Sequence, residues 1–425
     1  MSQQSLSLQN SVNHRESGER GQTLVLFLLM MVILFVFVGM GIDLGFAYIT
    51  KAQLSKAVDS AALSGMRNIA KGQTTAGLIA SNAFTANYGK SGRDVSPPSL
   101  SVVFTADNNS NTLLNVDATV SVNTYFIRVM PAIGLGNWSK LTVHSHAQAT
   151  RSTLIMTLVL DRSTSMLQNG GSTALPPAVT NFIALFDDQT DHAAMASFSS
   201  WSSVDVGMTQ PFITKIQDAA LAISFNGYTC SDEGQTNGLA QDDTMTNVSS
   251  VVRVIVFFTD GMANTFNYVF PCGNTNIAYD INYYSQLFDP KNGTNVNAGQ
   301  CTIPAKLASI NPVTGAVTSN AVDVTNCTAM HDEAENRAEW IAYLARQAGY
   351  TIYCIGLGNP NAQGECGGAF PVVNPVFLKA LANTSDSVNY NPNQPQGDFA
   401  IASDSSQLND VFQTIAAKIL LRLSQ

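Results

Sequence analysis

Charge is scarce in this chain. Only 12% of its 425 residues are Asp, Glu, Lys or Arg, and the formal net charge is -9, so a nucleic-acid backbone would find little basic surface to grip. Histidine is sparse too: the five present are dispersed along the chain, which leaves acid–base chemistry to unpaired carboxylates. Common catalytic signatures are missing. There is no G-x-S-x-G elbow, no H-E-x-x-H zinc helix and no G-x-x-x-x-G-K-[ST] phosphate loop, which argues against an enzyme. The paired C-x-x-C spacing of a structural zinc site is absent as well.

Apolar residues, at 45%, are abundant. Many lie near the N-terminus, where Thr23 to Ile42 runs without a charge between Arg20 and Asp43, a stretch of the roughly 20 residues that cross a bilayer as one helix. The run is longer than the h-region of a signal peptide and no small-x-small cleavage site closes it. Arg15 and Arg20 on one side are matched by Lys51 and Lys56 on the other, so loop charge does not orient the span. All six cysteines (Cys230, Cys272, Cys301, Cys327, Cys354, Cys366) lie far beyond it, mostly in turn-rich sequence. An even set in loops favours disulfides in an oxidising compartment, with the pairing open. Cys354, inside the apolar run Thr351 to Gly356, has the alternative of being a buried thiol.

The densest chemistry lies at the ends of two apolar runs. Leu158-Val-Leu-Asp161 continues into Arg162-Ser163-Thr164-Ser165, and Val252 to Thr259 ends in Asp260-Gly261. Both runs read as strands buried on two faces, and in open α/β sheets ligands gather beyond the carboxyl ends of such strands. Asp161, Ser163 and Ser165 then converge on one oxygen-rich spot, with Asp260 beside them. Between the two strands the turn-rich segment Asn226 to Glu233 leads to Gly234-Gln-Thr236-Asn-Gly-Leu239, a glycine-flanked threonine read as a loop residue. The competing reading makes the aspartates strand-end turn residues and the serines a helix cap.

This order of Asp-x-Ser-x-Ser, loop threonine and strand-end Asp-Gly resembles the metal-ion-dependent adhesion site of von Willebrand factor A domains. The resemblance implies a cation ligated by the hydroxyls of Ser163, Ser165 and Thr236, with Asp161 and Asp260 mostly holding its waters. A site of hydroxyls and waters suits Mg²⁺, which takes about six oxygens and gives up water reluctantly; Ca²⁺ and Mn²⁺ stay open. Such an ion keeps enough electrophilic character to take a carboxylate from a protein partner, as a binding device.

A second resemblance lies at the N-terminus. Arg20-Gly-Gln22, the apolar span, Ile42-Asp43-Leu-Gly45, Gln53-Leu54 and Val58-Asp59-Ser-Ala61-Ala62-Leu63-Ser-Gly65 resemble TadG-like proteins of Tad (Flp) pilus assembly. Leu54, Val58, Ala61, Ala62 and Gly65 form a small-residue helical face suited to close packing. Gly21 is followed by Gln-Thr-Leu-Val-Leu with no nearby glutamate, so prepilin-peptidase processing does not follow from the resemblance.

The predicted architecture is α/β. A short cytoplasmic tail (1–20) precedes a transmembrane and juxtamembrane helix (21–71) and a small β-rich membrane-proximal module (72–151), with strands at 100–104, 113–122 and 141–147. His144 and His146 share a face of the last of these and read as half-exposed residues. A Rossmann-like von Willebrand factor A domain occupies 152–425, with helices over 175–186, 212–223, 332–348 and 408–423 and strands at 192–198 and 351–356. The acids at Asp332, Glu333 and Glu335 read as complements to a helix dipole. Residues 262–330 form a long insertion rich in Asn, Gly, Cys and aromatics, expected to be ordered and to serve either as a specificity-setting rim above the metal or as a stapled loop of no functional role. The chain is expected to be a single-pass protein of a bacterial inner membrane, its C-terminal domain in the periplasm or outside, serving Tad pilus assembly with other envelope components as partners. A surface adhesin is the alternative, and a metal-binding subunit of a chelatase-like machine a more distant one.

Overall fold

The computed structural model describes residues 20–89, 97–106, 112–128, 138–245, 251–296, 298–368 and 371–423. Most of the expected N-terminal tail lies outside them. The described residues fall into two compact units, drawn from 1–60, 83–101 and 116–147 and from 61–82, 102–115 and 148–425.

Helix α1 (Arg20–Arg67) carries the apolar run. Every side chain from Thr23 to Val38 is exposed, an apolar surface far too extensive for water. Among the described residues it is the one helix long and apolar enough to cross a membrane, which fits a single-pass membrane protein. The character of α1 changes at Asp43. Its buried carboxylate accepts backbone N–H groups of Tyr125, Phe126 and Ile127 at 2.8–3.2 Å, and Leu54, Val58, Ala61 and Ala62 are buried as the small-residue face requires. A Cβ at Gly65 would stand 2.6 Å from Leu114 and 2.9 Å from Ala80, so glycine permits the close approach.

Helix α2 (Gln73–Asn87) opens the following module, where the sequence suggests mainly strands. A three-stranded sheet follows, in the order β1 (Ser99–Ala106), β2 (Thr112–Asn123), β3 (Lys140–Arg151). Alternate residues of β2 and β3 are buried, the signature of a sheet with one covered face. His144 and His146 lie on its open face, and both contact Asp117 Oδ1, at 3.2 and 3.0 Å.

The remainder alternates strand and helix. In chain order come β4 (Thr153–Asp161), α3 (Ser165–Gln168), α4 (Gly171–Ile183), β5 (His192–Phe198), β6 (Ser202–Thr209), α5 (Ile213–Ala222), α6 (Ser231–Asp242) and β7 (Val251–Thr259). The insertion contributes β8 (Thr265–Cys272), β9 (Thr275–Asn282), β10 (Leu287–Phe288), β11 (Asn295–Val296), β12 (Lys306–Ile310) and β13 (Val317–Asp323). Then follow α7 (Cys327–Gln347), β14 (Thr351–Leu357), a single turn α8 (Glu365–Gly368), α9 (Pro375–Ala382), β15 (Asp398–Ala402) and α10 (Leu408–Leu423).

Six of these strands form one sheet in the order β15-β14-β7-β4-β5-β6, parallel throughout except for edge strand β6, which runs antiparallel to β5. Numbered along the chain, this is the doubly wound order 3-2-1-4-5-6. Strand β4 is buried along its whole length, and the period of two sends its side chains to two cores. Leu154, Met156, Leu158 and Leu160 pack with Leu175, Phe182, Phe412 and Ile415 of α4 and α10. Val159 packs on the other face with Phe257, Ala338, Ala342 and Phe377. Those two covered faces explain why β4 reads as a continuous apolar run.

The insertion is ordered, as its aromatics and cysteines suggest. Strands β8–β11 form an antiparallel sheet and β12–β13 a hairpin over a core of Phe266, Phe270, Ile281, Leu307 and Val322, stapled by Cys272–Cys301. Cys327–Cys366 ties the start of α7 to α8. Cys230 and Cys354 are buried free thiols, a correction to the candidate set of six: Cys354 sits mid-strand among Phe377, Leu378 and Ile352, with no second thiol to meet.

Helix α7 begins earlier than its apolar spacing suggests, because the Asn326 side chain caps it through Ala329 N. The acids of this segment therefore lie inside the helix instead of at its positive end. Glu333 pairs with Arg337 at 2.6 Å and accepts from Ser309 at 2.7 Å, which fastens the β12–β13 hairpin. Glu335 takes both N–H bonds of the Asn374 amide at 3.0 Å, joining α7 to the cap of α9. Burial, with Glu339 and Asp332 nearby, pushes the Glu335 carboxyl up to about 8. Its folded value exceeds the unfolded one, so its contribution to stability is present below the unfolded value and is lost as pH rises toward 8. Glu335→Gln should match the parent near pH 5 and melt at a higher temperature than the parent above pH 8. A melting difference independent of pH would contradict this.

Candidate metal-binding site

The doubly wound order reverses between β4 and β7, and the crevice beyond their carboxyl ends is where such sheets hold ligands. Asp161 is the last residue of β4, while Asp260 follows the last residue of β7. Both are buried. Asp161 Oδ1 accepts the Ser163 backbone N–H at 2.8 Å and Oδ2 accepts the Thr259 hydroxyl at 2.6 Å. These bonds hold the Asp161–Ser165 turn in the shape that faces both serines toward Asp260. Ser163 Oγ lies 2.9 Å from Ser165 Oγ, and Ser165 Oγ donates to Asp260 Oδ1 at 2.8 Å. Asn169 Nδ2 donates to Asp260 Oδ2 at 2.6 Å, with its own Oδ1 taking Gly171 N; sequence reasoning overlooked this amide.

The geometry brings together Asp161, Ser163, Ser165 and Asp260 but not Thr236. Thr236 lies within α6, where its hydroxyl donates to the Asp232 carbonyl at 2.8 Å, and it lines a different cavity with Trp201 and Asn237. The loop threonine of the site is Thr229. It shares a cavity of ≈ 550 Å³ with Ser163, Ser165, Asp260, Tyr228 and Glu365. The Asn264 side chain accepts the Thr229 N–H at 2.8 Å, and Asn264 N donates back to the Thr229 carbonyl at 3.1 Å. The correction turns on where α6 starts. Asp232 and Glu233 occupy its first turn, a helix-start signal, which leaves Thr229 as the loop threonine. Gly234 and Gly238 read as loop markers but are contact glycines: a Cβ would stand 2.6 Å from Phe198 and 2.5 Å from Val159.

Two buried carboxylates lie at this site, Asp260 in the cavity wall and Asp161 behind it. Burial pushes Asp161 above the usual carboxylate range, and burial together with Asp161 pushes Asp260 up to about 7. The charge of the adjacent Arg162 reaches Asp161, but its side chain is engaged elsewhere. Its Nε donates to Ser197 Oγ at 3.0 Å and its guanidinium lies 4.5 Å from the Trp201 ring centroid. Buried charge beside several hydroxyls is a donor set that fits a hard divalent cation. Above it the cavity wall includes Tyr283 and Tyr284 of the insertion, whose rings lie 6.4 and 6.2 Å from that of Tyr228.

The fold is a doubly wound α/β domain carried behind an apolar N-terminal helix, the architecture that the sequence resemblance to von Willebrand factor A domains implies. Residues 21–68 match the family model described as putative Flp pilus-assembly TadE/G-like. No curated protein sequence matches the chain. Similar solved structures include the pilus adhesin SpaC from Lactobacillus rhamnosus GG (15% identity, 79% of this chain, 35% of that one, TM-score 0.43). Another is the vWF domain of the type V pili tip protein Mfa5 from Porphyromonas gingivalis (15% identity, 65% of this chain, 98% of that one, TM-score 0.39). A third is the PilB minor pilin from Streptococcus sanguinis (13% identity, 77% and 79% covered, TM-score 0.39). The chain matches about a third of the length of SpaC.

Proposed function

We propose that this is a TadG-like, membrane-anchored component of Tad pilus assembly that captures a protein partner through a divalent cation, without catalytic turnover. The observation that carries the reading is the convergence of Ser163, Ser165, Thr229 and Asp260 on one open cavity, with buried Asp161 bonded to the Ser163 backbone behind them. Ser163, Ser165 and Thr229 would hold the ion through hydroxyls, with Asp161 and Asp260 holding its waters. Mg²⁺ suits this set best, and Ca²⁺ or Mn²⁺ could replace it. The ion would supply an electrophilic position for a partner's carboxylate, and the tyrosines around it would set which partner fits. The match over residues 21–68 supports the pilus-assembly role. The two disulfides support an oxidising compartment for the C-terminal domain, which goes with our reading of a single pass across a bacterial inner membrane.

Capture of envelope partners by the full-length protein should stop in chelator and in Thr229→Ala, and persist in Thr236→Ala. Capture that survives chelator would overturn metal-bridged binding. A surface adhesin is the second reading, favoured by the exposed Tyr284 on the rim. It requires Thr229→Ala cells to assemble pili normally and lose attachment.

A further inference from the structure

A second group of ligand-type side chains lies outside the site described above. The Sγ of Cys230 and one carboxylate oxygen each of Glu233 and Asp280 lie within 4.8 Å of one another. Cys230 and Asp280 are fully buried, and Asp232 nearly so. Asp232 Oδ1 accepts the Cys230 thiol at 3.2 Å, while its Oδ2 takes the Asn267 backbone N–H at 3.0 Å. The Asn267 amide bridges the other two acids, donating to Glu233 Oε1 at 3.0 Å and Asp280 Oδ1 at 2.9 Å. That leaves Asp280 Oδ2 buried with no hydrogen-bond partner among the described residues.

Three carboxyl groups and a thiol packed this way are unfavourable unless something positive lies among them. Arg337, the base whose charge reaches Asp232, is engaged by Glu333 at 2.6 Å and by the carbonyls of Asn267 and Ala308. Burial and mutual repulsion accordingly push Asp280 up to about 9 and Glu233 to about 7. In tetrahedral zinc sites the sulfur and oxygen ligands stand about 3.5 Å apart, so modest closure of the observed spacing is enough. Asn267 has the placement of an outer-shell group that orients two carboxylates.

We propose that Cys230, Glu233 and Asp280, with water completing the set, form a second cation site that takes Zn²⁺ and clamps the insertion to the start of α6. A thiolate with carboxylates selects a borderline-soft ion over Mg²⁺ or Ca²⁺, and binding releases the thiol proton and any carboxyl protons. The clamp joins β9 to the residue next to Thr229, so its occupancy bears on the position of that loop. The ligands differ from those of the strand-end site, and the two sites stand or fall separately.

Cobalt distinguishes them, because only a thiolate ligand produces an intense near-ultraviolet sulfur-to-cobalt charge-transfer band. Full-length protein in detergent, titrated with Co²⁺, should develop that band, lose it on adding Zn²⁺, and lack it in Cys230→Ser. Ser163→Ala should leave it unchanged. Asp280→Asn keeps the thiol and should weaken Zn²⁺ by more than about 100-fold, the upper end of what losing an outer-shell partner costs. The proposal is overturned if folded parent protein gives no band, if the band persists in Cys230→Ser, or if Asp280→Asn binds Zn²⁺ as tightly as the parent.

Discussion

Asp161→Ala should bind no Mg²⁺ by calorimetry, yet unfold in chelator at a temperature equal to or above that of the parent. The two halves of this result have one cause. Asp161 is buried beside a second buried carboxylate, Asp260, so in the metal-free protein it brings repulsion and desolvation along with its two hydrogen bonds. Removing it leaves the Thr259 hydroxyl a remaining acceptor in the Gly261 carbonyl, 3.1 Å away. With metal present the balance reverses, since the same carboxylate offsets the charge of the ion and holds its waters. The parent should therefore gain about 2.7 kcal/mol of stability at a metal concentration 100 times its dissociation constant, and the variant should gain nothing. An unchanged binding isotherm would remove Asp161 from the site. A variant that fails to fold in chelator would show the carboxylate to be structural.

Asp191→Ala should destabilise the C-terminal domain by about 3–5 kcal/mol, the cost of leaving one member of a buried ion pair alone. Asp191 is fully buried and Arg151 nearly so. The guanidinium grips both carboxylate oxygens, at 2.7 and 2.5 Å. The carboxylate also accepts the backbone N–H of Leu154 and of Asp187, each at 2.9 Å. Truncation would strand a charge and two amide donors where β4 and β5 begin. Against a typical total of about 5–15 kcal/mol, this is a large fraction. Denaturant unfolding of the full-length protein measures it, and a loss below about 1 kcal/mol, the range of exposed pairs, would mean that water reaches the pair.

Much of the fold is visible in the order of residues. The apolar run of α1 needs no neighbour to be recognised, because bilayer thickness sets its length. Strands β4 and β7 show as continuous apolar runs because helices cover both faces of their sheet, and each places an aspartate at the carboxyl end. Helix α10 shows through its apolar spacing, its bounds at Leu408 and Leu423 coinciding with the predicted span. Other elements carry weaker signals. Helix α2 buries a face of Ala76, Ala80 and Phe84 in which two of the three are small, and β15 is a short edge strand whose residues are only partly buried except Ala402.

Local sequence was enough for the long apolar helix, for the strands of the doubly wound sheet and for the four strand-end residues Asp161, Ser163, Ser165 and Asp260, since each follows from local periodicity or from a strand terminus. Tertiary structure alone decided the rest. Thr229 replaces Thr236 because α6 starts at Ser231, and Gly234 and Gly238 serve packing against Phe198 and Val159, which no local spacing reveals. Cysteine pairing was likewise decided by proximity across the fold: four thiols meet, while Cys354 is held in a strand core and Cys230 among carboxylates. The physical reason is the same in each case. Periodicity reports which face of an element is buried, whereas which atoms meet is set by residues far apart in the chain.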